Sequence, residues 1–146
     1  MKIAIGSDHG GYALKTAVIE HLKNLGHEVD DKGCDSLASV DYPAYGLAVA
    51  NDVAAGNADK GIVICTTGIG ISIAANKVKG IRCALCTDTT CARLTREHND
   101  ANVLAMGGAI VGQMVAMDIV DTFLTTQFCG LEKHSRRISQ IAAAEE

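Results

Sequence analysis

Polar and apolar residues alternate along the chain in two different periods. Residues 2–6, 61–64, 81–86 and 102–106 are apolar runs rich in β-branched side chains, each ending in glycine, a thiol or a hydroxyl. Continuous apolarity without alternation is the mark of a strand buried on both faces of a parallel sheet. A weaker run at 28–30, followed by a loop through Gly33 and Ser36, supplies the second of five expected strands. Between the runs the spacing becomes helical. Leu14, Ala17, Val18, Leu22 and Leu25 mark a helix that stops at Gly26. Asp41-Tyr42-Pro43 opens another, with a carboxylate to cap it and a proline in its first turn, reaching about Ala55. Ile71, Ala74, Ala75 and Val78 mark a third, and Thr87-Asp88 caps a fourth that runs toward Arg96–Asp100. Residues 112–123 and 133–144 complete the set.

Strands alternating with helices predict an α/β fold: one domain over residues 1–146, a three-layer sandwich with a five-stranded parallel sheet. A flavodoxin or Rossmann-like strand order of 2-1-3-4-5 puts the switch point between the first and third strands. The loops Ser7–Gly11 and Cys65–Gly70 then face each other across one crevice.

Composition narrows the function. A net charge of -4 offers no footprint for nucleic acid, and no basic run argues for an anionic membrane surface. The amino terminus turns polar too early for a signal peptide and no apolar segment reaches membrane-spanning length, so a cytoplasmic protein is expected. Of six cysteines, Cys83 and Cys86 form a C-x-x-C. On a strand, residues three apart face opposite sides, so the pair reads as structural and not as a redox dithiol or metal pair.

The chemistry concentrates at residues 60–77, where a strand ends in Cys65-Thr66-Thr67-Gly68-Ile69-Gly70 and a helix begins. A thiol at a helix amino terminus gains from the dipole and the free N–H groups. Gly68 and Gly70 can bring backbone donors close to a developing oxyanion; the third glycine of a dinucleotide loop is replaced by Ile73, and the phosphate-loop signature is absent. Asp8 and His9 can grip hydroxyls or a phosphate, although Asp8 alone is more often a turn residue. His98 is a candidate general acid or a surface histidine. Lys133, His134, Arg136 and Arg137 either hold a phosphate or form a solvated helix face; His21 and His27 read as structural.

Together, Ser7–Gly11, Asp41-Tyr42-Pro43, residues 65–77, Gly80-Ile81-Arg82 and residues 96–104 resemble the type B ribose-5-phosphate isomerase family, which also includes galactose-6-phosphate and allose-6-phosphate isomerases. The resemblance spans essentially the whole chain. It implies an aldose-ketose isomerase without metal or other cofactor, converting ribose 5-phosphate to ribulose 5-phosphate through a cis-enediolate. By position, Cys65 matches the base and His98 the acid of ring opening, with Asp8 on the ring oxygens. Thr67 and the amides of Gly68, Ile69 and Gly70 match the enediolate site. Tyr42, Thr66 and Asn99 match substrate-contacting positions, and His9, Lys133 and Arg137 the phosphate grip. A homodimer with shared active sites is implied too, its helix at 131–146 packing on the partner. Three positions depart from the family pattern: Thr66 stands where glycine is usual, Ala109 where an arginine contacts phosphate, and Lys133 where a second arginine is common. These keep open a six-carbon or unphosphorylated sugar as substrate. The different-class alternative is a non-catalytic sugar-phosphate sensor.

Overall fold

The computed structural model describes residues 1–145. In chain order it forms β1 (Lys2–Ser7), α1 (Tyr12–Asn24), β2 (Glu28–Asp31), α2 (Tyr42–Ala54), β3 (Lys60–Cys65) and α3 (Ile69–Ala75). There follow β4 (Cys83–Leu85), α4 (Thr89–Asn99), β5 (Val103–Gly107), α5 (Gln113–Thr125) and α6 (Glu132–Ala143). All five strands pair in parallel.

Alternation within the central strands builds two cores. Ile3, Ile5, Ile62, Ile64, Leu104 and Met106 point to one face, under α1, α4 and α5. Ala4, Val63, Cys65, Val103 and Ala105 point to the other, under α2 and α3. Cys83 packs with the second core and Cys86 with the first, so the C-x-x-C is split across the sheet as its strand spacing predicts. Burial pushes both thiols up to about 12.

The strand order is β2-β1-β3-β5-β4, which corrects the expected 2-1-3-4-5. All five residues of β5 are buried, whereas β4 has three residues, none of them fully buried. A strand covered on both faces takes the interior, and a short half-exposed one is left for the edge. Asn76 finishes that edge: its side-chain amide donates to the Cys83 carbonyl (2.9 Å) and accepts from the Cys83 N–H (2.8 Å). The swap leaves the switch point between β1 and β3 untouched.

Of the two helix starts with an expected carboxylate cap, one differs from the sequence reading and one agrees with it. Asp41 sits at the amino end of α2 but its carboxylate makes no capping bond, so the proline alone does the work expected there. Asp88 does cap α4, accepting from the Cys91 N–H at 2.7 Å.

Candidate active site at the carboxyl ends of the strands

Three loops meet above β1, β3 and β5. The Asp8 N–H donates to the Ile64 carbonyl (3.3 Å), joining the first loop to β3. The Cys65 and Thr66 carbonyls accept from the Gly108 and Ala109 N–H groups at 2.8 and 3.0 Å, joining β3 to the loop after β5. These approaches need glycine. A Cβ on Gly108 would lie 2.5 Å from the Gly10 carbonyl oxygen, and one on Gly107 2.6 Å from the Thr67 backbone. The sequence shows Gly107-Gly108 ending a buried run, and that second glycine pair was the signal for a third loop at the site.

Cys65 ends β3 and is buried, with its Sγ accepting from the Gly68 N–H at 3.1 Å. That donor stabilises negative charge on sulfur. Gly68 makes the contact possible by adopting φ 78°, a left-handed conformation that a side chain would resist. Thr67 is exposed, its Oγ1 accepting from the Ile69 N–H at 3.2 Å. In the first turn of α3 the Gly70 and Ile71 N–H groups have no intrahelical acceptors. The Tyr42 ring covers Gly70 so closely that any side chain there would collide with it.

Asp8 is buried, its Oδ1 accepting from the Gly11 N–H at 3.1 Å. His9 accepts the Val40 N–H on Nδ1 at 3.2 Å, which leaves Nε2 to carry the proton of the neutral ring. Thus Asp8, His9, Tyr42, Cys65, Thr66, Thr67, Gly68, Ile69 and Gly70 share one end of the sheet.

The remaining expected residues lie at the other end. His98 and Asn99 close α4, with three residues between its end and the start of β5, and β5 separates them from the Cys65 level by about 13 Å at the usual rise per residue. The buried Arg96 fastens this end of α4, donating to the Asp100 carboxylate (2.7 Å) and the Ala101 carbonyl (2.6 Å). His98 stacks on His134 of α6, with ring centroids 4.2 Å apart and planes within 8°. Burial, then the positive charges of His98, Lys133 and Arg137, hold His134 below the ordinary histidine range. A single chain therefore does not bring His98, Asn99, Lys133 or Arg137 to Cys65, Asp8 or His9.

A parallel α/β sheet with a thiol, hydroxyls and free amides gathered at its switch point has the arrangement at which folds of this kind bind small molecules. The chain belongs to the ribose/galactose isomerase family, whose profile matches residues 3–141. Ribose-5-phosphate isomerase B of Escherichia coli is 49% identical over 99% of this chain and 97% of its own. The structure of ribose-5-phosphate isomerase B from Clostridium thermocellum superposes with a TM-score of 0.98 at 56% identity, covering 99% of this chain and 97% of that one. Ribose-5-phosphate isomerase B from Mycoplasma genitalium with bound ribulose-5-phosphate superposes with a TM-score of 0.93 at 42% identity, covering 99% and 95%.

Proposed function

We propose that this protein interconverts ribose 5-phosphate and ribulose 5-phosphate, with Cys65 as the base. The single observation that carries the reading is the Cys65 Sγ receiving the Gly68 N–H inside a buried loop at the switch point. Full-length similarity to isomerases of this name supports the substrate. In the open-chain aldose the thiolate takes the C2 proton and electrons move onto the C1 carbonyl oxygen; the O2 hydroxyl proton passes to O1 across the cis-enediolate, and the thiol returns its proton to C1 as the C2 carbonyl forms. Thr67 Oγ1 and the Gly70 amide are the donors for the enediolate oxygens, since the expected Gly68 and Ile69 amides are already given to Cys65 Sγ and Thr67 Oγ1; preorganised donors of this kind supply a large part of the barrier lowering. Asp8 and Tyr42 orient the sugar, and His9 offers Nε2–H to the phosphate.

The acid of ring opening, His98, and its neighbours Asn99, Lys133 and Arg137 come from a second copy of the chain. The separation of the two clusters within one chain supports this, as does the apolar rim left exposed around the crevice by Ile69, Ile73, Ile110 and Met114. In the assembled homodimer α6 packs on the partner and carries Lys133 and Arg137 to its site. The test is a panel of aldose phosphates read for ketose: ribose 5-phosphate gives ribulose 5-phosphate, and no ketose from any aldose phosphate rejects the reading.

A further inference from the structure

We propose that Thr66 selects substrate by length, its side chain filling the gap between Cys65 and the Ser7–Gly11 loop so that a five-carbon sugar phosphate is preferred to a six-carbon one. The inference rests on the isomerase reading and deepens it. Thr66 follows Cys65 directly, and its backbone is fixed by the Ala109 N–H on its carbonyl. Its side chain leans on Gly10: a Cβ there would collide with Thr66 Oγ1 and lie 3.1 Å from both the Cβ and the N of Thr66. Gly10 is not among the left-handed glycines, so its missing side chain answers to the approach of Thr66 and not to its own backbone.

The wall cannot retreat. Gly108 lies against the Gly10 carbonyl, and the first loop is tied to β3 through Asp8. Thr66 itself remains exposed beside Cys65 at the carboxyl end of β3, with its hydroxyl against Gly10. A substrate with its reacting carbon at Cys65 and its phosphate toward His9 has to pass this wedge, and one more carbon in the chain meets it as bulk.

The experiment compares kcat/KM for ribose 5-phosphate and allose 6-phosphate in the native enzyme and in Thr66→Gly, Thr66→Ala, Thr66→Ser and Thr66→Val, each checked for a native melting curve. Removing the wedge should raise the six-carbon to five-carbon ratio by about tenfold or more, the scale on which a pocket senses a carbon or two. The rise should follow the order of lost volume, Ser, Ala, Gly, while Thr66→Val, which keeps the volume and loses the hydroxyl, holds the native ratio. A flat ratio across active variants overturns the proposal, as does a Val shift as large as that of Gly. If Gly does not fold, the Ser and Ala ratios decide alone. A native enzyme without ketose formation on either sugar instead overturns the isomerase reading, and the wedge falls with it.

Discussion

At the scale of single residues, the thiols differ in exposure and in how readily they ionise. Cys83 and Cys86 are held protonated by burial across the whole neutral range, while Cys129 is exposed. Cys91 is exposed as well, but the Asp88 carboxylate beside it raises its thiol. Alkylation of the native protein with iodoacetamide at pH 8, mapped by mass spectrometry, should mark Cys129 before Cys91 and leave Cys83 and Cys86 unmodified. Early labelling of the C-x-x-C pair would contradict the structural assignment. This much was legible in the sequence, because strand period alone put the two thiols on opposite faces. The role of Gly10 was not, since its reason lies in Thr66, fifty-six positions away, and only the folded loops bring them together.

At the scale of elements, two attachments set the frame of the site. Lys15 is buried in α1 and its Nζ donates to Asp31 Oδ1 (2.6 Å) and the Cys34 carbonyl (2.5 Å) at the exit of β2. The two charges differ in solvation: the Lys15 side chain is 1% exposed and that of Asp31 44%. Asp31→Ala strands a buried ammonium and should cost about 3–5 kcal/mol. Lys15→Met leaves a carboxylate that water can reach and should cost about 1–3 kcal/mol. Urea unfolding of both variants checks the order, and the reverse order would contradict the burial. The second attachment is α6 on α4 through the His98–His134 stack. Because His134 is held below its unfolded value, the unfolded chain binds the extra proton, so stability is full above pH 6.5 and falls as the pH drops below it. Amide protection factors in residues 132–143, corrected for the intrinsic pH dependence of exchange, should therefore fall between pH 7 and pH 5 while those of β1 and β3 hold. The helices and strands were readable from period and punctuation. The order of β4 and β5 was not, because the deciding quantity is how deeply each is covered, and the two thiols, the alanine and the leucine of 81–86 read as apolar whether they lie at an edge or in the interior.

At the scale of the whole molecule, the two clusters at opposite ends of the sheet predict that one chain is half a machine. A mixture of Cys65→Ala and His98→Asn chains, each nearly inactive alone, should regain about a quarter of native activity after subunit exchange, since half the dimers carry one intact site. No recovery would place both residues in the same chain's site. The first cluster was largely legible, as strand ends at a switch point gather loops that are distant in sequence. That His98 and Cys65 stand at opposite ends of the sheet follows from helix α4 running antiparallel to the strands, a consequence of topology that no local pattern displays.

The most direct test of the central claim is proton exchange at C2 of ribose 5-phosphate in heavy water, followed by NMR alongside ribulose 5-phosphate formation. The native enzyme should show both exchange and ketose formation, and Cys65→Ala should lose both by about a thousandfold or more with substrate binding retained, the scale expected when an essential general base is removed. Undiminished exchange in Cys65→Ala would contradict the claim.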